Sequence, residues 1–161
     1  MTAPAYLVAL RRHCEDLRDG THAGVADRAG KERVFERAVE FLDPVARQVL
    51  AEVDQFLLER TGEIGDDGLE RTGDGTLSRS WRLSWPEQRD RGIAAVTLTA
   101  WFGGGFHHPH LRGGTVHDWP LNVYDGSDAR ELVPILRGIV AADVHNLIFQ
   151  ADWRIVPAVV R

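Results

Sequence analysis

The stretch LSRSWRLSW, residues 77–85, sets Leu77, Trp81, Leu83 and Trp85 against Ser78, Ser80, Arg82 and Ser84. Successive side chains of a strand point to opposite faces, so this alternation predicts a strand with one apolar and one polar face. After a loop over residues 86–92, Ala94, Val96, Leu98, Ala100 and Phe102 repeat the pattern against Ala95, Thr97, Thr99 and Trp101. The two strands are expected to pair. A sheet that is apolar on one side needs a second layer there, and the residues before it have helical character.

Tyr6, Leu7, Leu10, Cys14 and Leu17 recur at helical spacing ahead of Gly20 and predict an amphipathic helix over residues 6–17, with Cys14 as a small buried residue. Residues 19–30 read as a connection in which His22 is exposed. From Lys31, the stripe Val34, Phe35, Ala38, Val39 and Leu42 reaches Asp43-Pro44, a pair that suits a helix cap and first position. A new helix, or a kinked continuation, is expected from Pro44 to Thr61-Gly62. Residues 62–76 read as turns. Further on, Ser127 is expected to cap a helix over residues 127–148, disturbed by Pro134, and residues 152–160 to add an edge strand. The fold class is therefore α+β: one two-layer domain with N-terminal helices (1–61) and one later helix on a mostly antiparallel sheet of four or five strands. Residues 76–123 carry the strands.

The chain has 161 residues, 43% hydrophobic and 27% charged, values typical of a soluble globular domain. A net charge of −5 argues against a nucleic-acid binder, which needs a basic patch to release counterions. Cys14 is the sole cysteine, which excludes an internal disulfide and a thiolate metal cluster within the chain. Neither a signal peptide nor an apolar run of roughly 18 residues is evident, so a cytoplasmic protein away from membranes is expected.

Chemistry concentrates in GGGFHHPHLRGGTVHDWPLN, residues 103–122, which holds four of the seven histidines. With Gly113-Gly114 as a two-residue turn, His110 would face His117, and His108 would project to the same side. Three imidazoles sharing one face suit a divalent transition metal, zinc or iron, with His108, His110 and His117 as ligands. Asp118, Asp143 and Asp152 are candidate carboxylates. Pro109, opposite Asp118 in this register, requires the hairpin to lie at an edge or bulge.

Without a metal, His110 and His117 are candidate acid–base groups, with Asp118 as the orienting carboxylate. Trp101 and Trp119 would wall a small-molecule pocket, Arg112 would bind a substrate carboxylate, and His145 on the last helix would reach the hairpin. HxH at His108 and His110, followed by Gly114, His117 and Asn122, resembles fragments of the cupin metal motifs. The first motif's Glu is absent and the fragments overlap, so no family follows. The expectation is a small-molecule enzyme, its reaction open among hydrolysis, isomerisation and oxygen chemistry. The rival is a ligand-binding or assembly module, including a homo-oligomer, that uses the aromatic hairpin.

Overall fold

The computed structural model describes residues 1–160. Helix α1 (Ala5–Asp19) is followed by the long helix α2 (Arg28–Leu57), capped by the Asp27 carboxylate on the Gly30 N–H. Strands β1 (Glu63–Asp66), β2 (Glu70–Arg71) and β3 (Leu77–Ser84) come next, then the short helix α3 (Pro86–Asp90). Strands β4 (Val96–Phe102), β5 (His110–Arg112) and β6 (Trp119–Pro120) precede helices α4 (Gly126–Glu131) and α5 (Val133–Gln150). All pairings are antiparallel, in the order β1-β3-β4-β5-β6, with β2 also on β3. The fold is the α+β arrangement expected. No helix of the described residues is long and apolar enough to cross a membrane.

The central strands show why the layers form. Trp81 and Leu83 of β3, Val96, Leu98, Ala100 and Phe102 of β4, and Leu111 of β5 are all buried. They pack with Phe35, Leu42, Val49 and Leu50 of α2 and with Leu136, Ile139 and Val140 of α5 in one core cluster. Burying each of the Leu, Val, Ile and Phe side chains among them contributes about 1.5–3 kcal/mol. Arg79 shares the helix-facing side of β3, and its guanidinium reaches the carboxylates of Asp43 on α2 (3.1 Å) and Asp66 on β1 (2.6 Å). Asp43 also accepts the indole N–H of Trp81 at 2.8 Å, so a charge inside the interface is hydrogen-bonded on both sides. The opposite face of the sheet is open and carries Ser80, Thr97, Thr99, Trp101, His110 and Arg112.

Several expectations are corrected. Asp43-Pro44 does not divide the helix: α2 runs through Pro44, and the Asp43 side chain serves Trp81, Arg79 and Arg47 instead of a cap. Residues 62–76 contain two strands as well as turns. Neither strand fully buries a residue, and Ile64 of β1 is their one apolar side chain packed against the core, so the alternation that marks β3 is absent. The loop after Trp85 contains α3. The helix expected over 127–148 is two helices meeting at Leu132, with Pro134 tolerated in the first turn of α5 and Asp125, not Ser127, capping α4. Residues 152–160 form two 3-10 turns, Trp153–Ile155 and Pro157–Val159, in place of a strand. The first is held by the Asp152 carboxylate on the Arg154 N–H and by the Trp85 indole N–H on the Ile155 carbonyl.

The histidine-rich hairpin also departs from its expected register. His110 pairs with Pro120 and Leu111 with Trp119, and residues 113–118 form a wider loop. The cause lies in α5: the buried Asp143 carboxylate accepts the N–H groups of Gly114 (2.8 Å) and Thr115 (2.7 Å). Gly113 packs so closely on Ile139 that a Cβ would lie 2.5 Å from its Cγ2. The glycine pair thus gives α5 close access to the backbone, and the turn opens around that contact. The hairpin still lies at the sheet edge, as Pro109 requires, with β6 outermost.

A candidate metal centre beneath the first helix

The first turn of α2 builds the floor of the site. The Arg28 guanidinium stacks 3.6 Å from the Phe102 ring centroid and donates to the carbonyls of Gly103 and Phe106, which holds the loop after β4. Lys31, 4% exposed, donates to Gly20 at 3.0 Å and His107 at 3.4 Å. It therefore ties the chain before Thr21-His22 to the chain before His108. His108 completes the tie with a 2.7 Å hydrogen bond from Nε2–H to the Thr21 carbonyl.

The segment between α1 and α2 is ordered by local geometry. Gly20, in the left-handed region at φ 68°, closes α1 with its N–H on the Asp16 carbonyl, and Thr21 donates both its N–H and its hydroxyl to Asp16. His22 and Val25 then exchange two backbone hydrogen bonds across Ala23 (φ 53°) and Gly24 (φ 73°). Two positive φ values define the tight primed turn that suits a hairpin. This turn carries the His22 ring inward.

Four imidazoles and one carboxylate converge there. His13 lies 4.8 Å from His108 and 5.7 Å from His110, and His22 lies 5.6 Å from His108, measured between ring centroids. The Asp16 carboxylate is 3.7 Å from His22 Nδ1 and 3.9 Å from His108 Nε2. Asp16, His22 and His108 offer ligand atoms within 4.8 Å of one another. Ligand atoms bound at about 2.1 Å to a tetrahedral ion stand roughly 3.4 Å apart, so modest contraction would bring the three to one ion.

His22 is 0% exposed, and neither ring nitrogen has a hydrogen-bond partner among the described residues. The Nδ1 atoms of His13, His108 and His110 are likewise buried and unpartnered. A buried polar atom without a partner is uncommon in native proteins and calls for a water or an ion. Burial pushes the His22 pKa down to about 4, partly opposed by the Asp16 charge and reinforced by His108 and Lys31. Burial also lowers His13, His108 and His110, with Asp118 opposing the shift at His110. All four are thus held as neutral imidazoles, the form that ligates metals. The Lys31 ammonium works against a dication as well as against protons, and Asp16 is the anion that offsets it. Tyr124, its ring 5.6 Å from His22, is raised to about 12 by burial and by Asp16, so it remains a neutral phenol.

The expected site residues divide sharply. His108 and His110 are in the cluster, and Asp118 stands near His110 with φ 58°. His117 is exposed in the widened loop and leaves the group. Trp101 flanks the cluster on the open face, 5.6 Å from His110 and 4.9 Å from Phe106. Arg112 lies 5.1 Å over Trp101 and makes no hydrogen bond or ion pair with the described residues. Trp119, paired with Leu111, packs toward the core on the other face. His145 is exposed on α5 beside an apolar groove lined by Val53, Phe56, Val140 and Ile148, apart from the cluster. Asp143 and Asp152 are committed to backbone N–H groups.

Sequence reasoning missed His13, Asp16, His22 and Tyr124, and it placed His22 in solvent. One signal was present: His13 and Asp16, three apart on a helix, are surface neighbours at the flank of the apolar stripe. Comparison with family models, with curated proteins and with solved structures finds no match to the chain.

Proposed function

We propose that the chain is a small-molecule enzyme working with a divalent transition metal, zinc or iron, held by Asp16, His22 and His108 instead of the hairpin triad. The carrying observation is His22, fully buried with two unpartnered ring nitrogens and 3.7 Å from the Asp16 carboxylate. Two imidazoles and one carboxylate form a donor set common to catalytic zinc and non-haem iron sites, in which an open position takes water or substrate. A metal there would act as Lewis acid or lower the pKa of a bound water toward neutrality. His13 and His110, neutral and adjacent, would accept a proton from such a water. Trp101, Phe106 and Arg112 would take the body and carboxylate of a substrate on the open sheet face.

One contact favours a second reading. His108 donates Nε2–H to Thr21, so a metal taking that nitrogen must displace a 2.7 Å hydrogen bond. Without a metal, half-buried His110 beside Asp118 is the acid–base candidate. Elemental mass spectrometry on tag-free protein purified without chelator separates the readings. Near-stoichiometric metal is expected in wild type and in His117→Ala, and its loss in the Asp16→Ala, His22→Ala double variant. A well-folded, metal-free wild type would overturn the metal centre and leave the acid–base reading and the ligand-binding or assembly module.

A further inference from the structure

Helix α1 sits on the protein the wrong way round. Its apolar stripe of Leu7, Leu10, Cys14 and Leu17 faces solvent, with Leu10 46% and Leu17 54% exposed, and none of its fifteen residues is buried. The expected burial of Cys14 is thereby reversed. The face turned inward carries Ala9, Arg12, His13 and Asp16. An amphipathic helix docks by burying its apolar stripe, and this one gains almost nothing from that source.

Tyr6, Val8 and Ala9 border a small cavity together with Leu132 and Ile135, and the other attachments of α1 are polar. The Asn122 side chain donates to the Ala9 carbonyl at 2.8 Å, and Arg12 approaches Asp128 at 3.6 Å in a partly exposed pair. Arg12 also lies 5.9 Å over the Tyr124 ring, and at the histidine cluster His13 meets His108 and His110, and Asp16 meets Thr21, His22 and His108. Exposed ion pairs contribute at most about 1 kcal/mol, so the cluster is the main polar attachment of the C-terminal half of the helix. Of the three candidate ligands, α1 supplies Asp16, while His22 and His108 belong to the segments beneath it.

We infer that α1 is a metal-docked lid: an ion shared by Asp16, His22 and His108 closes the helix over the histidine cluster, and loss of the ion releases it. This rests on the reading of the cluster as a metal centre. A ligand that binds only the closed arrangement shifts the population by its differential affinity, and an ion bridging lid and body has such a difference by construction. Opening would bare His22 and His108, which are 0% and 2% exposed in the closed form, and so give the ion itself a route in and out of the cluster.

Hydrogen–deuterium exchange of the full chain, read by mass spectrometry, tests this. Chelator-treated protein is compared with protein given one equivalent of zinc chloride, with metal content measured on the same samples. Amides of α1 are expected to exchange at least tenfold more slowly with zinc, while those of α2 residues 34–50 keep their rates. His22→Ala, which leaves α1 untouched, should abolish the slowing. Stoichiometric zinc without a change in α1 overturns the lid but leaves the metal centre standing. Absence of zinc binding overturns both. Zinc-independent protection of α1 that grows with protein concentration would also overturn the lid, because a second copy would then be covering the stripe.

Discussion

Acidification of the chelator-treated protein should unfold it through His22. The imidazole pKa falls from an ordinary 6.5 to about 4 because burial disfavours the cation. A histidine depressed on folding adds no penalty above its unfolded pKa, where both states are neutral. Below 6.5 the unfolded chain takes up a proton that the folded chain refuses, so stability drains as the pH falls from 6.5 toward 4. Each pH unit in that window costs about 1.4 kcal/mol, giving roughly 3 kcal/mol from this residue alone. That is a large fraction of the 5–15 kcal/mol typical of a domain. His13, His108 and His110 are shifted in the same direction and add to the loss. The assay is urea denaturation followed by tryptophan fluorescence at pH 7 and pH 4.2, for wild type and for His22→Leu, which cannot titrate. Wild type should lose about 3 kcal/mol more than the variant across this window. Parallel losses in the two proteins would refute the assignment of the shift to a buried, unpartnered His22.

Asp43→Ala should destabilise the protein by about 3 kcal/mol in the same urea assay, because it strands the Trp81 indole N–H in the core and leaves Arg79, 10% exposed, short of an anion. A loss under 1 kcal/mol would mean that Asp66 alone satisfies Arg79. Gly113→Ala should cost about 1–3 kcal/mol, since its Cβ would meet Ile139 and the Asp143 carboxylate within 2.6 Å; an unchanged midpoint would show that α5 yields freely there. Ala23→Gly should raise stability by about 0.5–1 kcal/mol by relieving a side chain held at φ 53°, and a lowered thermal midpoint would count against that strain.

The two central strands were legible because each buries one face, so their period of two survives in the sequence. The stripe of α2 was legible for the same reason. β1 and β2 were not, since β1 carries a single apolar residue, Ile64, and β2 carries none, too few to show a period of two. The hairpin register was decided by Asp143, which lies 28 and 29 residues beyond the backbone groups it captures, and no property of the Gly113-Gly114 pair announces that partner. His108 lies in the histidine cluster, and its companions there come from α1 and the turn after it. Those contacts depend on an inverted amphipathic helix, whereas the apolar stripe of residues 7–17 points, by ordinary reasoning, to the opposite orientation. The left-handed Ala23 hid the turn that buries His22, because alanine is a poor signal for positive φ.

The most direct test of the metal centre is a crystal structure of zinc-soaked protein with anomalous data collected on both sides of the zinc absorption edge. One strong peak is expected, bound by the Asp16 carboxylate and by ring nitrogens of His22 and His108, beneath a closed α1. A peak on His110 or His117 with His22 unligated, or no peak in crystals soaked at saturating zinc, would contradict it.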